Sequence, residues 1–375
     1  MRILIAPNAF KNSLSADGAA AAIEAGLVGS GLKCECEKFP VADGGDGTAS
    51  LLIEHFKAKR IYTMVLDPLG REIEASIGWV EKDQIAIIEM ADASGLRLLK
   101  KEEYDPLHSS SFGTGQLVRL ATELGAKKIL LGIGGTATVD GGLGALCALG
   151  FSIQDKAGGN AQFIPSQYST WNSIDISQLQ KHPEIVILSD VRNFLLGEGG
   201  AAKVFGPQKG ATAGDIVTLE NALGRLHELV LANTGMDMSR VERGGAAGGI
   251  AAAFAVLMNA KLVNGIDFFL DNTSFDGSLT KADLVITGEG RIDDQTMEGK
   301  APFGVALRAK QKDIPVIGMA GQVAFNLDER LKKYFAKLIS INKPGESLDT
   351  SIANTEVNLK TAAQKLGDWL KQHSM

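Results

Sequence analysis

The sequence predicts an α/β protein of two domains. One is a parallel, doubly wound sheet of Rossmann or flavodoxin type formed from both chain ends; the other is an inserted domain of mixed α/β character. Three observations predict this. The apolar runs "ILIAP", "KILLGIGG", "IVILSD", "ADLVITGEG" and "IPVIGMAG" recur along the chain, the last four emptying into glycine or acid. Unbroken apolarity marks strands covered on both faces, the habit of parallel sheets. Helical patterns separate the runs, and 375 residues exceed what one hydrophobic core ordinarily serves.

Taken in chain order, "MRILIAPNAF" has too short an apolar stretch for a signal peptide and reads as the first strand. Ser15 is placed to cap a helix over 15–28 with an Ala and Ile body. Residues 60–91 break the alternation of strand and helix. Their alternating segments, parted by Asp67-Pro68-Leu69-Gly70 and by Lys82-Asp83, predict an antiparallel meander. Residues 155–180 read as a surface excursion. The stretch 244–260, "GGAAGGIAAAFAVLMNA", is shorter than the roughly 20 apolar residues that span a bilayer and reads as a buried helix. A further helix is expected over 302–310. The expected division is 1–60 plus 280–375 for the parallel domain and 61–279 for the insertion. The expected site is a cleft where the two face each other, because ligands gather at the C-terminal ends of parallel strands.

Apolar residues at 45% and charged residues at 22% suit a folded protein. The 44 glycines exceed the norm of about 7% and cluster at strand exits. A net charge of −6 gives no general attraction for nucleic acid or an anionic membrane. Cys34, Cys36 and Cys147 lack the second pair that a zinc site needs and read as reduced thiols of a cytoplasmic protein. No repeat of 20 to 50 residues is evident.

Five stretches carry candidate chemistry. In "VADGGDGT", Asp43 and Asp46 bracket a glycine pair and could hold Mg²⁺, or could be solvated acids on a turn. "GIGGTATVDGGLGALCALG", 132–150, offers bare amides for an anion at Gly134, Gly135 and Thr136. It only grazes the dinucleotide fingerprint and lacks a Walker A ending. "RGGAAGGIAAAFAVL", 243–257, a second glycine loop opening an apolar helix, fits phosphate binding and close helix packing equally well. Asp190 leaves the apolar run "IVILS" where a base or metal ligand could stand, or a helix cap; Lys203 and Lys209 follow it. In "TGEGRIDDQTMEGK", 287–300, Glu289, Arg291, Asp293, Asp294 and Lys300 could supply metal-binding acids and a phosphate-binding base, or a salt-bridge network. His55, His108, His182, His227 and His373 all lie outside these loops, which disfavours histidine chemistry and favours phosphoryl transfer.

In order along the chain, "IAPNAFKNSLSA", "VADGGDGT", "FGTGQL", "GIGGTATVDGG", "DVRN", "VFGPQKGA", "GGAAGG" and "ADLVITGEGRIDDQTMEGKAPFGVA" resemble the first family of bacterial glycerate kinases. The resemblance implies two α/β domains and ATP-dependent phosphorylation of D-glycerate with Mg²⁺. It favours 2-phosphoglycerate over 3-phosphoglycerate, in organic-acid catabolism. The chain departs from the family pattern at Asn8-Ala9, Asp46, Val139 and Phe194, where Asp-Ser, Glu, Asn and Pro are usual. The site expected on this basis has Asp190, Lys11 and Arg291 as catalytic groups. Lys209, Lys300, Gly134, Gly135, Thr136, Gly288 and Gly290 would bind substrate and phosphate, and Asp43, Asp46, Glu289 and Asp293 the metal. The alternatives are a kinase of another small hydroxy acid, a dinucleotide oxidoreductase and a hydroxy-acid sensor. The expected partners are ATP and D-glycerate, with no nucleic acid or membrane, in a monomer or homodimer.

Overall fold

Among the described residues, thirteen short segments take extended form. They are β1 (Arg2–Ile5), β2 (Glu35–Lys38), β3 (Lys59–Leu66), β4 (Glu72–Val80), β5 (Ile85–Glu89), β6 (Lys128–Gly132), β7 (Ser152–Gln154), β8 (Ser173–Asp175), β9 (Glu184–Ser189), β10 (Lys261–Asn264), β11 (Leu284–Ile292), β12 (Val316–Val323) and β13 (Lys337–Ser340). The computed structural model describes residues 1–179, 181–343 and 345–373. Within it the chain forms two compact units, residues 1–43 with 264–375, and residues 44–263.

The first unit holds a sheet in the order β13-β12-β11-β1-β2, with every neighbouring pair parallel. Counted within the unit this is the doubly wound order 2-1-3-4-5, whose direction of winding reverses between β1 and β11. Ile3, Leu4 and Ile5 are fully buried, as a central parallel strand requires. The helix Ala16–Gly29 begins at Ser15, whose side chain accepts from the Gly18 amide at 3.1 Å. It packs on the C-terminal helix Thr355–Gln372 so closely that a Cβ on Gly26 would stand 2.3 Å from the Lys360 carbonyl oxygen.

The second unit holds a mixed sheet in the order β10-β9-β6-β5-β4-β3. The expected meander is its antiparallel edge, β3 on β4 on β5; β5, β6 and β9 then run parallel. Its first turn forms because the Asp67 carboxylate accepts from the amides of Leu69 and Arg71 at 2.8 and 2.9 Å, while Gly70 takes a φ of +81°. Residues 155–172 connect β7 to its antiparallel partner β8, and Trp171 is 3% exposed, so this excursion has its own anchor in the core. Gln180 lies outside the described residues.

Residues 44–60 belong with the second unit because the helix Thr48–Phe56 lays Ile53 on β4, where a Cβ on Gly78 would stand 2.3 Å from Ile53 Cγ1. Residues 264–279 belong with the first. There the Phe275 ring meets Phe39 edge-on at 5.4 Å, and Ile266 fills the space beside Gly304. The expected buried helix in 244–260 is Ile250–Leu257, with Ile250 to Phe254 fully buried. Among the described residues no helix is long and apolar enough to cross a membrane.

Candidate active site

In the first unit the candidate residues gather at the C-terminal ends of β1 and β11, the point where the winding reverses. The Asn8 amide donates to the Gly288 carbonyl at 2.8 Å, which carries the pairing of the two strands into their exit loops. Gly288 is glycine for a packing reason: a Cβ there would stand 1.9 Å from the Met319 carbonyl oxygen. Gly290 differs. Nothing approaches its missing Cβ closer than the Lys11 amide nitrogen at 3.7 Å, so the space a side chain would fill is open beside an exposed lysine. Glu289, between these glycines, is 8% exposed.

Asp43 is buried, and its Oδ2 accepts from Asn8 Nδ2 at 2.8 Å and from the Ala301 amide at 3.3 Å. The carboxylate therefore sits at the N-terminus of the helix Ala301–Lys310, where the helix dipole favours it; Lys300 is the cap and Pro302 lies in the first turn. Asn8 gives Asp43 a hydrogen-bond donor where an aspartate would give a like charge.

Much of the charge in 287–300 holds that loop together. Arg291 pairs with Asp293 at 3.0 Å, and Asp293 also caps the turn Asp294–Glu298 through the Gln295 amide at 3.1 Å. Asp294 accepts from the Asp328 amide at 2.9 Å.

In the second unit the exits of β5, β6 and β9 meet the turn that precedes the helix Thr48–Phe56. Gly44, at φ +97°, lies against the Leu188 carbonyl of β9, where a Cβ would stand at 2.7 Å. Gly134 lies against the same turn, its Cβ position 2.2 Å from the Asp46 amide nitrogen, and Gly135 takes a φ of +67°. These glycines bring three backbone loops into contact. Asp46 itself is exposed and paired with Arg97 at 3.0 Å, and Arg97 also pairs with Asp92. Lys209 is 2% exposed, and its ammonium donates to Thr136 Oγ1 at 3.1 Å and to the Thr138 carbonyl at 2.6 Å. It thus holds the β6 exit loop from within. Asp190 follows β9 directly and is half-buried.

The structure brings together Lys11, Asp43, Gly288, Glu289, Gly290, Arg291, Asp293 and Lys300 in the first unit. Asp46, Gly134, Gly135, Thr136, Asp190 and Lys209 lie in the second. Asp43 and Asp46, three positions apart in sequence, therefore belong to different units.

Two roles, those of Glu89 and Asp140, escaped the sequence reading. Glu89 ends β5, is 2% exposed, and accepts from the Ala49 amide at 2.8 Å through Oε2; its Oε1 has no hydrogen-bond partner among the described residues. Burial pushes its pKa up to about 8. The signal that marked Asp190, an acid closing an apolar run, is present in "IAIIEM" as well. Asp140 accepts from the Ser111 amide and hydroxyl at 2.9 and 2.7 Å and from the amides of Gly142 and Gly144 at 3.0 and 3.1 Å. It is spent on structure. Asp140→Asn, which turns a donor toward those donors, is expected to cost about 2–3 kcal/mol, read as a lower urea midpoint in equilibrium unfolding. An unchanged midpoint would refute that role.

The "RGGAAGG" stretch, for which the sequence left phosphate binding and close packing equal, is closely packed. A Cβ on Gly245 would stand 2.2 Å from the Phe194 carbonyl and one on Gly248 2.1 Å from the Thr138 carbonyl. The segment is wedged between the exits of β9 and β6. Val139, beside it, is fully buried in the core of this unit. The cysteines are free thiols, with Cys34 and Cys36 Sγ 3.6 Å apart.

Acids, cations and glycines stand at the strand exits of a doubly wound sheet, where α/β proteins hold their ligands. Residues 3–371 match the model of the glycerate kinase family, and the chain belongs to that family. It is 41% identical to a glycerate kinase of Bacillus subtilis and 42% identical to a glycerate 2-kinase of Escherichia coli, each over 86% of both chains. A crystal structure provisionally named glycerate kinase 2, from Salmonella typhimurium LT2, superimposes with a TM-score of 0.78 at 38% identity, covering 100% of this chain and 99% of that one. The chain is a kinase.

Proposed function

We propose that this kinase transfers the γ-phosphoryl of ATP to a hydroxyl of D-glycerate and yields 2-phosphoglycerate, as a cytoplasmic step of organic-acid catabolism. The observation that carries this reading is the similarity to the Escherichia coli protein named glycerate 2-kinase, 42% over 326 residues. The geometry supplies fitting parts. Asp190 takes the proton of the attacking hydroxyl. Lys11, Arg291 and Lys300 are exposed or half-buried cations for phosphate oxygens and for the carboxylate of glycerate. Lys209 acts from beneath the loop Gly134 to Thr136, fixing its shape and placing positive charge under it. We also propose the two units as the working domains, in a monomer or homodimer.

Among the described residues no three His, Cys, Asp or Glu side chains come together as metal ligands. Mg²⁺ can take most of its ligands from nucleotide phosphates and water and only one or two carboxylates from the protein, which the buried Asp43 and Glu289 could supply. Glu289 and Asp43, both at the β1 and β11 exits, are our first choices. Asp46 and Asp293 would have to release Arg97 and Arg291 to serve. Mg²⁺ bound there would neutralise charge on the phosphoryl oxygens.

Phosphorus NMR of the product tests the regiochemistry. A single resonance coupled to the C2 proton is expected. Phosphate on the terminal carbon would replace this reading by the 3-phosphoglycerate alternative.

A further inference from the structure

We propose that Arg243 is the positioning residue for Asp190, an inference that rests on the reading of Asp190 as the base. The Nη1 of Arg243 donates to the carbonyls of Ser189 at 3.4 Å and Val191 at 3.1 Å, one on each side of Asp190. A single guanidinium nitrogen thus ties the two residues that flank the base. It does so where support from the sheet runs out, since the register of β6 on β9 ends at Gly132 opposite Leu188. The Ser189 hydroxyl adds only long contacts to Val191, at 3.4 and 3.5 Å.

Arg243 is itself held in place. Its φ of +67° is a left-handed conformation that an arginine adopts only when its surroundings impose it. The imposing contact is the segment that follows. The Gly245 amide donates to the Asn193 carbonyl at 2.9 Å, and Gly245 lies flush on the Phe194 carbonyl. The chain therefore docks on the β9 exit loop just after Arg243, and the side chain reaches back to the bend. Arginine suits the task because its planar head is always charged and orders with less loss per hydrogen bond than a lysine ammonium. A base must be held within a fraction of an ångström of its working geometry, so fixing the two flanking peptides acts directly on the rate.

A double-mutant cycle on the full-length enzyme tests this. Arg243→Ala is expected to lower kcat about 10- to 100-fold, since a misplacement of about 1 Å costs that much, with KM for ATP and D-glycerate within about threefold of wild type. The double variant Arg243→Ala/Asp190→Asn should be no slower than Asp190→Asn, because a positioning residue has nothing left to position. Arg243→Lys, which keeps the charge but is shorter, should show a smaller loss in the same direction, and it carries the cycle if the alanine variant does not fold. Multiplicative losses in the double variant would overturn the proposal, as would a raised KM with intact kcat, which would make Arg243 a substrate contact. Full turnover in Asp190→Asn alone would overturn the base assignment and the role of Arg243 with it.

Discussion

Asp190→Asn is expected to lower kcat for glycerate-dependent ADP release by about 10²- to 10⁴-fold, the usual contribution of a general base. KM for ATP and for D-glycerate should hold. The residue stands half-buried immediately after β9, outside the sheet register, and an amide keeps its shape while removing its charge. A kcat close to wild type would remove Asp190 from the mechanism. The same assay on the wild-type protein separates the rival readings. ADP release that requires glycerate is the signature of the kinase, NAD binding without it that of an oxidoreductase, and ligand binding without turnover that of a sensor.

Glu89→Gln is expected to abolish a large pH dependence of stability. Burial first, with a smaller contribution from the negative charges of Asp46 and Asp92, pushes the Glu89 pKa from 4.5 to about 8 in the folded protein; the Ala49 amide and Arg97 pull the other way and lose. The folded value lies above the unfolded one. Below about pH 4.5 both states hold the proton and the fold pays no penalty. As pH rises from there, the unfolded chain releases its proton while the folded chain keeps it, and stability falls by about 1.4 kcal/mol per pH unit. The fall stops once the pH passes about 8, where the folded carboxyl ionises too. The full loss is on the order of 5 kcal/mol at most. Glutamine is neutral throughout and removes this slope. Its unpaired amide hydrogens cost about 1–3 kcal/mol, so the variant should be less stable than wild type at pH 5 and more stable at pH 8.5. Equilibrium urea unfolding at the two pH values measures both. Parallel pH slopes for the two proteins would show that Glu89 is ionised in the fold.

The elements that were legible in the sequence are those set by local rules. "ILIAP", "KILLGIGG", "IVILSD", "ADLVITGEG" and "IPVIGMAG" each contain a strand, because a segment covered on both faces must be apolar throughout. Ser15 capped its helix, and Asp67 with Gly70 turned the meander, because those contacts span only a few residues. The family was legible too, since its motifs run nearly the length of the chain.

The charged loop 287–300 was readable as a network but not in detail. Whether Asp293 faces a metal or caps its own turn depends on how the chain bends after β11, and the acids and bases there read alike before it does.

By itself the sequence determined that this is an α/β kinase with glycine-lined strand exits, since apolar runs, capping residues and motif order are properties of neighbours along the chain. Only the tertiary structure decided which sheet each run joins, that Asp43 and Asp46 part company at Gly44, that Lys209 and Asp140 work from inside, and that Arg243 brackets Asp190. The reason is that residue type encodes how much water a segment tolerates, whereas partners distant in sequence are chosen by packing. The Gly134 backbone meeting Asp46, or a guanidinium reaching back across 52 positions to Val191, leaves no trace in the composition of either segment.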